Sequence, residues 1–127
     1  MKRAAIALAG LILTAVLCIT ALINFENAIS DVISRAEDMA QAVKQHDNAA
    51  AANLLSDLEQ TWQQNKSFFV ILSGSDPCDK IDLSLTQVKV WFSHKEKSPE
   101  TLSELYNLIK EAEDLRQTQS PKLINLF

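Results

Sequence analysis

Apolar residues follow two regimes along the chain. From Ala4 to Ile23 they form one run, AAIALAGLILTAVLCITALI, without a single charge. As a helix rising 1.5 Å per residue, these 20 residues span about 30 Å, the thickness of a bilayer's hydrocarbon core. Beyond Asn24 the pattern becomes periodic. Ile29, Val32, Ile33, Ala36, Met39, Ala40 and Val43 recur at three- and four-residue steps, which marks one buried helix face. Asp47 suits the N-cap of a second helix, whose stripe is Ala51, Leu55, Leu58, Trp62, Phe69 and Leu72. Its end, Phe68 to Leu72, is apolar all round and calls for a cover. Ser73-Gly74-Ser75 stops it, and Asp76-Pro77 predicts a new start, with Asp at the N-cap and Pro at the first helical position. Ile81, Leu85, Val88 and Phe92 line this third helix. Lys95-Glu96-Lys97 breaks it, and Ser98-Pro99-Glu100 repeats the start signal for a fourth with stripe Leu102, Leu105, Ile109 and Ala112. Gln117 to Pro121 reads as a linker before the tail Lys122-Leu123-Ile124-Asn125-Leu126-Phe127.

Short connections between long amphipathic helices make them antiparallel neighbours. The expected fold is all-α: an N-terminal transmembrane helix continuing into an up-and-down bundle of about four helices. No stretch alternates for long enough to make a free-standing strand, and two Gly and three Pro are too few for a barrel or sandwich. The organisation that follows is a cytoplasmic start at 1–3, a transmembrane anchor at 4–23, and an extracytoplasmic helical bundle with a C-terminal tail at 24–127. In this arrangement the connections near His46 and His94 lie far from the membrane, while the 73–77 turn and the tail return to it. The tail carries four apolar residues in its last five. The expectation is that it folds over the Phe68–Leu72 end; the competing reading is that it dips into the lipid interface.

Charge sets the orientation. Lys2 and Arg3 precede the run, and the first charges after it are Glu26 and Asp31. Positive residues stay in the cytoplasm, so the N-terminus is expected inside and 24–127 outside, on a single-pass protein of the cell membrane. A cleaved signal peptide is the competing reading. Its apolar region is usually about 7–15 residues with a small-x-small exit. Ile19-Thr20-Ala21 and Glu26-Asn27-Ala28 both fit that exit poorly, and Leu17 before Cys18 does not fit a lipoprotein signal.

The whole chain carries a net charge of -4, and without Lys2 and Arg3 the remainder is more acidic still. Such a chain has no basic patch for nucleic acid. Two cysteines exclude a disulfide scaffold. Candidate chemistry is thin. Cys78 and His94 lie 16 residues apart on one helix, so about 24 Å separates them, far beyond the contact a nucleophile and base need. Cys78 is expected as a small half-buried residue. His46 with Asp47 and His94 with Glu96 could share the distal tip but lack preorganised ligand spacing. Asp76 and Asp79 sit where a helix start favours negative charge, with Asp82 following. Glu100 and Glu104 lack the Glu-x-x-His that di-metal bundles use. Trp62, Phe68, Phe69, Trp91 and Phe92 sit at helical spacing and read as core. No P-loop, nucleophile elbow or Cys-x-x-Cys occurs.

The basic start, the single span, Leu54-Leu55-Ser56-Asp57-Leu58-Glu59-Gln60-Thr61-Trp62, Ile81-Asp82-Leu83-Ser84-Leu85 and Leu123-Ile124-Asn125-Leu126-Phe127 together resemble a group of short bacterial membrane proteins. That group is common in spore-forming Firmicutes and is classed as a domain of unknown function. The resemblance covers essentially the whole chain and implies no activity. It implies a second Trp near Phe69 and a His among acidic residues in the next turn. This chain has Phe68-Phe69 and Ser73-Gly74-Ser75-Asp76 there, so chemistry at that turn does not carry over.

These readings lead to no catalytic residue, no cofactor and no metal site. The expected role is interaction or structural support outside the membrane, with lipid contacted through 4–23 and a protein partner or a second copy as the other contact. The alternative is a small-molecule or ion sensor that signals through the junction at 24–29 and would need a pocket of a few hundred Å³ between its helices.

Overall fold

The computed structural model describes residues 1–94 and 98–126, with side chains described for 1–94 and 99–117. The described residues form four helices: α1 (Lys2–Lys44), α2 (Asn48–Ser73), α3 (Ser75–Ser93) and α4 (Ser98–Leu126). Each runs antiparallel to the next, and α1 packs against both α2 and α4. The architecture is the all-α bundle that the stripes predict.

α1 is one helix of 43 residues with two kinds of surface. Up to Asn24 it presents its apolar side chains outward, with Ile6, Leu11 and Leu13 more than half exposed. Its two hydroxyls turn back on the helix: Thr14 donates to the Gly10 carbonyl at 2.9 Å and Thr20 to that of Val16 at 2.8 Å. From Phe25 onward a stripe is buried, and all seven residues predicted for it, Ile29 to Val43, are in the core. Phe25 itself, absent from the predicted stripe, is 2% exposed and packs on Phe68 and Phe69 at ring-centroid distances of 6.5 and 5.5 Å. Phe69 stacks on Trp62 at 5.3 Å, which makes an aromatic column between α1 and α2.

α1 stops at His46, a non-glycine residue with φ of +57°. The amide of His46 donates to the Val43 carbonyl at 3.1 Å and that of Asp47 to the Ala42 carbonyl at 3.0 Å, so the last carbonyls are satisfied by a Schellman-type close. Asp47 then caps α2, accepting from the Ala50 amide at 3.2 Å. This is the N-cap that the sequence indicates.

Other expectations are corrected. α3 begins at Ser75, not after Asp76, because Gly74 at φ +88° reverses the chain in a single residue. Asp76 and Pro77 therefore lie inside the first turn, where a missing amide still leaves no helix bond unmade. Core residues of α4 include Thr101, Leu105, Leu108, Ala112 and Leu115, while Leu102 and Ile109 are only half-buried. The buried face thus shares Leu105 and Ala112 with the predicted stripe and is rotated to take in Thr101, Leu108 and Leu115. α4 also continues to Leu126, so the expected linker at 117–121 is helical and Pro121 does not end it. Of the apolar end of α2, Phe69 is covered, Phe68, Val70 and Leu72 are half-covered, and Ile71 is 80% exposed. The break at 95–97, Phe127 and the side-chain packing of the tail lie outside the described residues.

Two outcomes follow for the full chain in detergent. Replacing the fully buried Trp62 with Ala should cost about 3–5 kcal/mol. That is a large part of the roughly 5–15 kcal/mol of a typical domain, so circular dichroism should show a far lower melting temperature. His46→Gly should instead raise the melting temperature, because it removes about 1–2 kcal/mol of left-handed backbone strain.

Candidate functional site

The described residues offer two places where side-chain chemistry gathers: a polar seam between α2 and α3, and a pocket at the end of the bundle farthest from the apolar segment.

Trp62 and Lys66 stand one helical turn apart on α2 and both face Asp82 on α3. The Trp62 indole Nε1 donates to Asp82 Oδ1 at 2.5 Å, and Lys66 Nζ pairs with Oδ2 of the same carboxylate, also at 2.5 Å. A buried indole N–H needs an acceptor, and a half-buried carboxylate needs donors, so the three groups satisfy one another. Farther along the same seam Lys89 pairs with Glu59 at 2.8 Å. The hydrogen bond to Asp82, and then its charge, hold the Lys66 ammonium above its ordinary pKa. Cys78, one turn before Asp82, is fully buried rather than half-buried. Burial, followed by the charges of Asp82 and Asp79, pushes its thiol upward. Both directions favour the protonated forms of Lys66 and Cys78. The seam clasps two helices.

The sequence holds a signal for this seam that the stripe reading passes over. Trp62 and Lys66 are four residues apart, and Asp82 flanks the Ile81–Leu85 stripe of the next helix. α3 and α4 are joined similarly, with the Ser84 hydroxyl donating to Glu111 at 2.9 Å.

The far pocket has a volume of about 370 Å³ and touches the ends of all four helices. Val43 and Phe92 form apolar wall, Trp91 adds an indole, and Asn48, His94 and Thr101 bring polar atoms. The Trp91 and His94 rings meet edge-on at 6.4 Å. His46 and His94 are both exposed at this end. Glu96, the second carboxylate considered for this tip, lies outside the described residues. Among the described residues no three His, Cys, Asp or Glu side chains come together as a metal site. Cys78 lies near the opposite end of α3 from His94, as their spacing requires. Glu104 faces Gln87 across α3 and α4, whose amide nitrogen reaches both carboxylate oxygens at 2.9 and 3.0 Å when turned toward them. Of the aromatic set, Trp62 and Phe69 are fully buried, and Phe68, Trp91 and Phe92 are half-buried.

Cys78 and Lys66 give a pH dependence of one sign. An unfolded thiol ionises near its ordinary 9.0 while the folded one resists, so stability present below that pH is lost above it. Lys66, raised from 10.5, adds stability that persists below that value and is lost as pH climbs through its higher folded pKa. The melting temperature should therefore fall from about pH 9 upward, and Cys78→Ala should delay the onset of that fall. A fall with the same onset in the variant would show that the buried thiol contributes nothing.

No curated protein and no solved structure matches this chain. One family does: the domain of unknown function DUF4363 matches residues 20–126, from the last turn of the apolar segment to the end of α4. The match includes Phe25, Trp62, Cys78 and Asp82, so the aromatic column and the clasp both lie within the family's domain. The chain is a member of the DUF4363 family.

Proposed function

We propose that this protein is a single-pass membrane protein whose helical bundle is presented outside the membrane as a non-catalytic interaction module. One observation carries the reading. The most apolar window of α1 has a mean hydropathy of 2.7, none of it is buried against the rest of the protein, and the same helix runs on unbroken into the bundle. A core helix of a soluble protein would hide such a window, and water would charge heavily for leaving it bare. Lipid accepts it, because an α-helix satisfies its own backbone and the two threonines are bonded within it. Lys2 and Arg3 support an orientation with the N-terminus in the cytoplasm and 24–127 outside. The resemblance to short single-pass proteins of spore-forming Firmicutes supports the same reading. The saturated state of Asp82 and the inert thiol of Cys78 support interaction over catalysis, with a protein partner or a second copy as what is bound.

The far pocket favours one alternative, a sensor for a small molecule. Its volume lies within the range of ligand sites, and its mixture of indole, phenyl, amide and imidazole suits a small aromatic ligand with one polar group.

A reporter enzyme fused after Phe127 should be active only outside the cytoplasm. Making Lys2 and Arg3 acidic and Glu26 a lysine should weaken that bias. Crosslinking in intact membranes should capture a protein partner or a dimer. A reporter active in the cytoplasm would overturn the orientation. A chain that stays monomeric and unlinked, yet is stabilised by a small aromatic compound in a way that Trp91→Ala abolishes, would favour the sensor.

A further inference from the structure

The second half of α2 presents a contradiction that the monomer does not resolve. Five apolar residues in sequence call for a cover, yet Ile71 is 80% exposed on the side of α2 turned away from the bundle. Its height relative to α1 says what lies beside it.

Three observations fix the register of α2 against α1. Phe25 packs on Phe68 and Phe69. Arg35 Nη1 lies 3.8 Å from Asp57 Oδ2. Asn27 and Ala28 share a groove with Asn65. In each antiparallel pair the two residue numbers add to about 93, so α2 descends one residue for each that α1 climbs. On that register Ile71 is level with Leu22 and Gly74 with Ile19, beside the outer end of the apolar segment. There Ala21 and Leu22 are half-covered, and almost every residue before them is bare. α4 descends on the other side of α1. Arg116 Nη1 lies 3.9 Å from Glu26, and α4 continues for ten more residues to Leu126, about 15 Å further down. Both returning helices therefore pass below the point where the apolar segment begins. Just above that level the surface turns polar, with Asn24, Asn27 and Asn65 lining an open groove at the height of residues 24–28.

We infer that the α2–α3 turn is a second membrane contact, with Ile71 seated in the acyl-chain edge of the outer lipid interface and the Asn24–Asn27–Asn65 groove at head-group height. The occupant of the exposed patch is lipid. An apolar side chain at that depth has acyl chains beside it without any approach by another protein. Attraction to anionic lipid is not what holds it, since the domain is acidic overall. The Lys66–Asp82 and Glu59–Lys89 pairs put the exposed Asp76 level with Leu72. The contact is therefore confined to the hydrated interface, where that carboxylate keeps water. The bundle is thereby seated on the membrane rather than suspended above it.

This inference rests on the reading that 4–23 spans the membrane, and the test separates the two. The full chain is placed in phosphatidylcholine vesicles with p-benzoylphenylalanine at one position at a time: Ile71, Gln60 on the same helix about 16 Å higher, or Ile12 within the span. After illumination, mass spectrometry reads the adducts. The expected result is phosphatidylcholine adducts at 71 and 12, with the yield at 71 roughly tenfold or more above that at 60, the ratio that about 1.4 kcal/mol of preference for lipid produces. No lipid adduct at 71 beside a strong one at 12 would overturn the inference and leave the anchor standing. An adduct from 71 to a second copy of the chain would overturn it in favour of a protein cover. No lipid adduct at 12 would remove the anchor and the inference together.

Discussion

Phe25 is the point on which the rest of the structure depends. Below it α1 is apolar on every side, and above it α1 is apolar on one side only. A helix cannot make that change without something to receive the apolar face where it begins. The rings of Phe68 and Phe69 receive it, Trp62 backs Phe69, and Asp82 takes the indole proton. Through that sequence of contacts α1 is joined to α2 and α2 to α3. α4 closes the bundle from the other side through Leu105, Leu108 and Ala112, all buried. The junction between the apolar segment and the bundle is therefore packed from its first turn.

The clasp at Asp82 illustrates how chemistry-bearing residues can be structural. An acid, a lysine, an indole and a thiol within two turns have the composition of a reactive centre. Their arrangement is the opposite of one. Each polar group is consumed by another, and the thiol is sealed in by burial. The lysine is paired to one carboxylate oxygen and the indole to the other, so the three groups tie α2 to α3.

How much of this was legible in the sequence varied by helix. The stripe of α1 from Ile29 to Val43 is legible apart from Ala42, because that part of α1 is contacted on one broad face and its exposed face is polar. Phe25, by contrast, directly follows the apolar run and does not stand out from it. The cap at Asp47 was legible for a local reason, since its carboxylate acts within its own turn. α4 was read one face askew. It is wedged between α1 and α3, so Thr101 and Leu115 are buried while Leu102 and Ile109 are half-buried against the same core, and hydropathy alone would not place a threonine ahead of them. The start of α3 was placed too late because Asp-Pro is a strong local signal, whereas the deciding residue is a glycine that turns the chain within one φ angle. The clasp is only half legible: the four-residue spacing of Trp62 and Lys66 and the place of Asp82 beside its stripe are in the sequence, but nothing in either helix alone says that they meet. Only the pairing of α2 with α3 brings Asp82 opposite both Trp62 and Lys66, and that pairing is a tertiary fact.

The unbroken length of α1 has a mechanical consequence. From Phe25 the helix extends 19 residues up to Lys44 and 21 residues down to Ala4, about 28 Å and 31 Å. α1 has no proline, and its single glycine, Gly10, lies far below the fulcrum, so nothing near Phe25 makes it bend. The two arms are almost equal, and the upper one moves only together with the bundle packed on it. A rigid tilt of the bundle about Phe25 by a few ångströms at the far tip would therefore carry the other end of the apolar segment a nearly equal distance the opposite way.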